Sequence, residues 1–224
     1  MSFAGSMRLG MGSSRPAIMP RMKFAFAAVA VMALLIGGMS FAAEAPSATQ
    51  SPEFQRLYAR LESATYVTEG AKQPKNVIYV FFDPNCPYCR HSWLALQYYE
   101  KVGLQVRWLP VAVLKSSSLG RAAAILEADD PAAALKKNES EYRMSGAEGG
   151  MPPVDQPKPE SVTKLGANRE LMRLFGFRGI PAMVWRGTNG EILGKAGMPN
   201  MRDLPLITGL PEQWIDDPEL DAYR

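Results

Sequence analysis

The chain is poor in the two residue types from which most metal sites and disulfide scaffolds are built. Its 224 residues include two cysteines, Cys86 and Cys89, and a single histidine, His91. Two cysteines exclude a scaffold stapled by several disulfides, and a chain of this length can bury a core without one. Zinc takes about four ligands, so a zinc site would need added carboxylates. All three residues lie in FFDPNCPYCRHSW, residues 81–93, and the chemistry is expected there.

The sequence also lacks a cluster of basic residues beyond residue 42. Four of its 25 basic residues and none of its 22 acidic residues lie in residues 1–42. The remainder therefore has 21 basic and 22 acidic residues, a formal net charge of −1, although the whole chain carries +3. A nucleic-acid-binding surface requires clustered lysine and arginine, so the composition argues against a nucleic-acid partner.

The N-terminal segment predicts export. Two basic residues precede residues 24–36, an unbroken run of 13 apolar residues, and secretory signals have apolar cores of about 7–15 residues. Small residues follow the run, and cleavage after Ala42 fits them best. The alternative is an N-terminal membrane anchor, since residues 24–43 are about as long as a bilayer requires. Residues 1–42 are therefore expected to be a signal peptide with an extended leader.

Export changes the meaning of the two cysteines. Disulfides form and persist in exported proteins, but a bridge between Cys86 and Cys89 would close so small a loop that it constrains the unfolded chain little. A structural disulfide more usually joins distant segments. The spacing therefore favours a redox-active pair over an inert disulfide or a metal site.

The residues around the pair predict a strand followed by a helix. Asn76–Phe82, NVIYVFF, has the continuous apolar pattern of a strand buried on both faces. Pro87 stands where a helix would begin, and residues 88–100 continue that helix. Cys86 would then lie at the helix N-terminus, where free N–H groups and the helix dipole stabilise a thiolate. Cys89 follows on the same face, so we expect Cys86 to attack and Cys89 to resolve the mixed disulfide.

Two other residues of this helix are expected to stay outside the chemistry. His91 lies two residues beyond Cys89, so its side chain should point away from the face that the cysteines share. Trp93, four residues beyond Cys89, is expected to pack the helix against the sheet.

The rest of the chain predicts a mixed α/β fold around one sheet. Asn189 and Gly190 indicate a hairpin between two short apolar runs. Residues 144–160 are rich in glycine and proline, and we expect a mobile surface loop there. The remaining expected elements are a strand over residues 103–113, helices over residues 119–126, 132–142 and 168–176, and hairpin strands formed by AMVW and EIL.

Pro181 stands between a glycine-bearing turn and a strand, in RGIPAMV. A proline at the start of a strand gives up a ladder hydrogen bond, and X–Pro bonds are the peptide bonds that adopt the cis form in folded proteins. Taken with the cysteine pair, the position favours a cis Ile180–Pro181 bond over a trans proline at a strand edge.

Together these motifs resemble the thioredoxin superfamily and, more narrowly, the periplasmic DsbC/DsbG family of thiol:disulfide interchange proteins, on the DsbG side. The similarity runs from about Ala64 to the end of the hairpin. CPYC alone is weakly specific, because glutaredoxins share it, whereas the segment after the second strand is more specific. The segments that carry the resemblance are VFFDPNCPYCRHSW, RWLPVAVLKSSSLGRAAAIL, DDPAAAL and LFGFRGIPAMV.

The resemblance implies a thioredoxin-like α/β fold over residues 76–224, with a helical insertion at about residues 116–160. It also implies that the proline matching Pro181 is cis and packs beside the cysteines, and that the preceding residue offers its backbone to substrate. The expected site therefore consists of two catalytic cysteines and four substrate-binding residues. The substrate-binding residues are Pro87, Tyr88, Ile180 and Pro181.

The function implied by the resemblance is thiol-disulfide oxidoreduction in the periplasm, by interchange, reduction or isomerisation of disulfides in exported proteins. It implies no cofactor and no metal. A membrane donor of the DsbD type would supply electrons. In the alternative of a DsbA-like dithiol oxidase, a DsbB-type membrane partner would reoxidise the protein. A second alternative is a non-catalytic periplasmic chaperone that uses the apolar groove around Tyr88 and Pro181.

The chain departs from the family pattern in two places. Family members carry an N-terminal dimerisation domain before a linker helix, whereas residues 43–75 hold only a short segment with Pro52–Glu62 as the remnant of that helix. We therefore expect a monomer. Ile180 replaces the threonine usual before the cis proline and has no side-chain hydrogen-bond donor. The helix remnant carries an apolar stripe that should fold back onto its own domain, namely Phe54, Leu57, Tyr58 and Leu61.

Overall fold

A five-stranded mixed sheet forms the centre of this computed structural model, which describes residues 51–224. The sheet has the spatial order β1-β3-β2-β4-β5, with β2 parallel to β3 and the other neighbouring pairs antiparallel. The expected signal peptide lies outside the described residues. The strands are β1 (Val67–Gly70), β2 (Asn76–Phe82), β3 (Leu104–Pro110), β4 (Ala182–Arg186) and β5 (Ile192–Ala196).

Helices cover both faces of the sheet. Helix α2 packs on one face, and α1 and α5 pack on the other. None of the helices in residues 51–224 is both long enough and apolar enough to span a bilayer. The α-helices of the described part are α1 (Pro52–Glu62), α2 (Pro87–Glu100), α3 (Ser118–Leu126), α4 (Pro131–Ser140), α5 (Pro159–Leu174) and α6 (Leu204–Thr208), and a 3₁₀ turn spans Pro218–Tyr223.

Strand β2 is buried on both faces, as the continuous apolar run predicts. Ile78, Val80 and Phe82 join the core cluster under α2. Tyr79 and Phe81 join the second cluster, under α1 and α5. All five side chains are at most 2% exposed, so the strand that leads to the cysteines is fixed on both sides.

Helix α1 folds back onto its own domain, and this confirms the expectation for its apolar stripe. Leu61 is fully buried, and the Tyr58 ring meets the Tyr79 ring edge-on with centroids 5.7 Å apart. The Phe54 ring meets Phe175 of the α5 end at 5.5 Å. Strand β1 also pairs with β3 in the sheet, so the domain begins before the boundary expected at residue 76.

The insertion between β3 and β4 is helical, as expected, but it is more firmly attached than the sequence suggests. The Asp130 carboxylate accepts hydrogen bonds from the N–H groups of Ala132 and Ala133, both at 3.0 Å, and caps α4. The buried Arg121 guanidinium donates to the carbonyl oxygens of Gly149 and Met151. An arginine from α3 thus attaches two residues of the segment 144–160 to the domain, whereas mobility of the segment stays a prediction.

Helix α5 begins earlier than the sequence predicts. It starts at Pro159 and continues through Asn168, the residue at which the sequence places its start. The Asn168 side chain is buried, and its amide donates to the carbonyl oxygens of Thr65 at 2.8 Å and Pro110 at 3.0 Å. It therefore ties the middle of α5 to the segment before β1 and to the last residue of β3. Gly176 follows the helix with a φ of 82°, in the left-handed region that glycine tolerates.

Candidate active site

The loop between β2 and α2 places Cys86 at the N-terminus of α2, as the sequence predicts. Pro87 is the first residue of the helix, where a missing N–H costs nothing. Cys86 is the N-cap residue, and its Sγ accepts a hydrogen bond from the Cys89 N–H at 3.2 Å. The Arg90 N–H donates to the Cys86 carbonyl oxygen at 3.1 Å. The sulfur therefore takes the place of the oxygen that usually caps a helix.

Asp83, which no sequence motif marks as a site residue, fixes this loop. Its carboxylate is fully buried and accepts hydrogen bonds from the Asn85 N–H and the Ser118 hydroxyl, both at 2.9 Å. Its other oxygen accepts from the N–H groups of Val113 at 2.7 Å and Leu114 at 3.0 Å. One carboxylate thus joins the cysteine loop to the chain that follows β3. The only sequence signal for it is the break that DPN makes in the apolar run.

The two thiols differ in pKa. The hydrogen bond with the Cys89 thiol lowers the pKa of Cys86, as do the backbone N–H groups of Cys89 and Tyr88, against the opposing effect of burial. Burial raises the pKa of Cys89 well above its usual value. Both residues are buried, Cys86 at 3% exposure and Cys89 at 1%. Of the pair, only Cys86 borders the groove described below, and it is also the residue whose pKa is lowered.

The segment that precedes β4 lies next to Cys86. The Ile180–Pro181 peptide bond is cis, the form that the sequence favours. The Ile180 carbonyl oxygen lies 3.9 Å from Cys86 Sγ. Pro181 is buried behind Ile180, and its carbonyl oxygen accepts a hydrogen bond from the Gly197 N–H at 2.7 Å. The fold therefore brings residues about 90 positions apart in the sequence next to one another.

An open groove of about 560 Å³ borders Cys86, and we call it the active-site groove. Three of the four expected substrate-binding residues line it, and Pro181 does not. Tyr88 stands at its edge with 54% of the residue exposed. The lining residues are Cys86, Pro87, Tyr88, Val113, Leu114, Arg169, Met172, Arg173, Phe177, Arg178, Gly179 and Ile180.

His91 and Trp93 lie where the sequence predicts. The His91 Nδ1 atom is 2.9 Å from the Tyr223 hydroxyl, in the 3₁₀ turn near the C-terminus, and its ring is half-buried there. Trp93 is buried in the core and donates from Nε1 to the Glu69 carboxylate at 2.8 Å. Within residues 51–224, no group of three His, Cys, Asp or Glu side chains is placed to hold a metal ion.

A buried carboxyl group that was not predicted from the sequence lies against the cysteine loop. Glu139 of α4 is 2% exposed, and burial raises its pKa to about 8. Its Oε1 accepts from the Asn138 side chain at 2.9 Å, while its Oε2 has no hydrogen-bond partner within residues 51–224. Asn138 also donates to the Pro84 carbonyl oxygen at 3.1 Å, two residues before Cys86. KKNES has the polar composition of an exposed helix end, so no sequence signal marks this burial.

The difference between the thiols predicts selective alkylation of the reduced protein. Small uncharged iodoacetamide should label Cys86 with a midpoint below the unperturbed cysteine pKa of about 8.5. Cys89 should stay unlabelled across the same pH range because burial keeps its proton in place. Mass spectrometry of digested samples taken from pH 5 to pH 9 would measure both rates. Equal labelling of the two cysteines, with a midpoint near the unperturbed value, would contradict the assignment of the thiolate to Cys86.

The described geometry agrees with comparisons to known proteins. Residues 61–202 match the family described as a thioredoxin-like domain. The chain is 30% identical over 160 residues to the thiol:disulfide interchange protein DsbG of Escherichia coli (strain K12), covering 71% of this chain and 63% of that protein. It is 34% identical over 126 residues to the thiol:disulfide interchange protein DsbC of Haemophilus influenzae, covering 55% and 49%. The chain thus spans less than two thirds of the length of these relatives.

A solved structure shows the same fold. A periplasmic thioredoxin-like protein from Salmonella enterica serovar Typhimurium superposes with a TM-score of 0.55 at 24% identity, covering 69% of this chain and 94% of that one. The likeness to this structure is one of fold. The chain belongs to the thioredoxin-like domain family.

Proposed function

We propose that the protein is a periplasmic thiol-disulfide oxidoreductase that acts on exported proteins through Cys86 and Cys89. The observation that carries the proposal is the position of Cys86 as the N-cap of α2, with its sulfur accepting the Cys89 N–H and bordering the active-site groove. A sulfur placed there favours the thiolate, the attacking species in disulfide exchange. Similarity to interchange proteins named DsbG and DsbC supports the same activity.

The two cysteines would act in sequence. The Cys86 thiolate attacks one sulfur of a substrate disulfide, a Cys86–substrate disulfide forms, and the other substrate sulfur leaves as a thiolate. Cys89 then transfers its proton to that departing thiolate and attacks Cys86 Sγ. The Cys86–Cys89 disulfide forms and the remaining substrate sulfur leaves as a thiolate, which takes a proton from water. Two electrons pass from the protein to the substrate, and the reverse sequence oxidises a dithiol.

The other four expected site residues would hold the substrate rather than react. Ile180 would offer its backbone carbonyl beside Cys86, and Pro181 would fix the position of that carbonyl at the start of β4. Pro87 and Tyr88 would present apolar surface at the groove edge, since Tyr88 is more than half exposed. Because Ile180 has no side-chain donor, its hydrogen bonds with substrate would come from the main chain alone.

The direct test is the transfer of reducing equivalents to a disulfide protein. Reduced protein, freed of small thiols, should reduce one disulfide of insulin for each Cys86–Cys89 pair that becomes oxidised. Mass spectrometry of alkylated samples would count the thiols on both proteins. A protein that suppresses aggregation of unfolded substrates but transfers no electrons would contradict the proposal and favour the chaperone alternative, for which the apolar groove is the supporting observation.

The direction of electron flow determines the membrane partner. As a reductase or isomerase, the protein would receive electrons from a DsbD-type donor. As an oxidase it would pass electrons to a DsbB-type partner. Related pairs have potentials from about −120 to −270 mV, which cover both roles, so equilibration of the Cys86–Cys89 pair with glutathione would distinguish them.

We further propose that the protein is a monomer. The apolar stripe of α1 is used within the domain, since Tyr58 and Leu61 are buried against the sheet and α5. It therefore offers little surface for an interface of the usual size, about 1,600 Å² in total. Light scattering from 1 to 100 μM should give the mass of one mature chain throughout. A mass of two chains at 1 μM would contradict the monomer.

A further inference from the structure

The charged side chains that line the active-site groove are all positive. Three of its lining residues are arginines, and no lining residue is acidic. Arg169 and Arg173 lie one turn apart on α5, and Arg178 lies in the segment that leads to Ile180. Residues 43–224 have a formal net charge of −1, with 21 basic against 22 acidic residues. The positive charge is therefore a local property of the groove, not a reflection of a basic protein.

Little of this charge is neutralised by the domain itself. The Arg173 guanidinium pairs with the Glu170 carboxylate at 2.9 Å, on the exposed surface of α5. Arg169 and Arg178 form no ion pair with any carboxylate in residues 51–224. Both are exposed, so their guanidinium groups are available to an anionic side chain that enters the groove.

Apolar side chains line the same groove. Val113 and Leu114 are 38% and 49% exposed, and Met172 and Phe177 supply further apolar surface. Val113 and Leu114 are held by the hydrogen bonds from their N–H groups to Asp83, the residue that also fixes the cysteine loop. The apolar wall is therefore set in position relative to Cys86 before any substrate arrives, and such preorganisation lowers the ordering cost of binding.

We propose that the active-site groove selects disulfides in extended segments of exported proteins in which the reacting cysteine is flanked by both acidic and apolar side chains. The inference rests on the proposed oxidoreductase function and names its preferred substrate class. The apolar side chain would pack on Val113 and Leu114, and the carboxylate would pair with Arg169 or Arg178. Charge complementarity of this kind favours the right partner and speeds its arrival.

The test uses three peptides that differ only at the two positions flanking the cysteine. Each carries one leucine and one cysteine, the cysteine blocked as a disulfide with 4-thiopyridine, and its two flanking positions are Asp, Asn or Lys. Attack by Cys86 on the peptide sulfur releases 4-thiopyridone, whose absorbance gives the second-order rate. At low salt we expect the Asp peptide to react about ten times faster than the Lys peptide, the scale of one to two exposed ion pairs. At 1 M NaCl, where the screening length is about 3 Å, the ratio should fall towards one.

Charge reversal within the groove should reverse the preference. In the double variant Arg169→Glu, Arg178→Glu we expect the Lys peptide to react faster than the Asp peptide. Arg56→Glu is the matched control, because Arg56 is an exposed helical arginine outside the groove, and it should keep the wild-type order. A double variant that still prefers the Asp peptide would overturn the inference.

Reaction with an uncharged disulfide tests the proposed oxidoreductase function separately from the substrate preference. Wild type and the Arg56→Glu control should react at the same rate with 4,4′-dithiodipyridine, which carries no charge for the arginines to recognise. The rate of the double variant with this reagent gives the reactivity of its Cys86, and the peptide rates of each protein are divided by its own rate with the reagent. If that reaction is normal but wild type shows no preference among the peptides, the substrate preference is wrong and the oxidoreductase function stands. If wild type reacts with neither dithiodipyridine nor any peptide, the proposed function fails, and the inference fails with it.

Discussion

Replacement of Cys89 by serine is expected to trap the protein on its substrates. Cys86 would still form the mixed disulfide, because its position as the helix N-cap and its backbone donor at Cys89 remain. No second sulfur would then release the substrate. Turnover should fall by more than about a thousandfold, the scale on which loss of a nucleophile acts in other enzymes. Non-reducing gels of periplasmic extracts should show new bands that disappear on addition of dithiothreitol.

The matched control is Cys86→Ser, which removes the attacking sulfur and should trap nothing. The buried thiol of Cys89, with its raised pKa, cannot take over the attack on an external disulfide. Equal trapping by the two variants would show that the assigned roles are wrong. If Cys86→Ser instead kept the full effect of wild type on unfolded proteins, the chaperone alternative would replace the oxidoreductase.

The second large effect is expected in the pH dependence of stability. Burial raises the pKa of Glu139 to about 8 and that of Glu100 to about 8 as well. In the unfolded chain a glutamate has a pKa of about 4.3. Between about pH 4.3 and about pH 8, each of these glutamates is ionised in the unfolded chain and protonated in the folded protein. The raised pKa values therefore contribute stability that is complete below about pH 4.3 and is lost as pH rises through the folded-state pKa. The free energy of unfolding falls by up to about 1.4 kcal/mol per pH unit for each carboxyl group.

Glu139→Gln should flatten this dependence. The amide cannot ionise, so the free energy of unfolding should fall less between pH 6 and pH 9 than in wild type, and the variant should be the more stable protein at pH 9. Urea unfolding at each pH measures the difference. Glu141→Gln is the control, because Glu141 is exposed at the end of the same helix. A slope in Glu139→Gln equal to that of wild type would contradict ionisation of a buried carboxyl group.

Sequence patterns predicted the elements whose signals are local. Strand β2 has the predicted bounds because its apolar run is continuous and is broken at once by Asp83-Pro84-Asn85. Helix α2 follows from Pro87 in the same way. Strand β1 was missed, since VTEG has no alternating pattern and depends on pairing with β3. The start of α5 was misplaced because Pro159 looks like part of a loop until the helix that follows it is known.

The same distinction between local and long-range signals applies to the residues of the candidate site. The cysteine spacing and the segment before Pro181 are short motifs, so Cys86, Cys89 and Ile180 could be named from the sequence. The buried carboxylates Asp83 and Glu139 could not, because their burial arises from contacts with residues far away in the chain. The charge of the groove was also missed, since its arginines are spread along α5 and the following segment and meet only on folding.

The hydrogen bonds of Asn168 have a consequence for how such proteins diverge. Its buried amide ties α5 to the segment before β1 and to the last residue of β3, whereas Arg169 and Arg173 of the same helix are exposed at the groove. Placement of the helix and the choice of groove side chains are thus controlled by different residues. Exposed positions of α5 can therefore be substituted without moving the helix or the cysteines, so under the proposed function the substrate preference could change while the cysteine pair keeps its place.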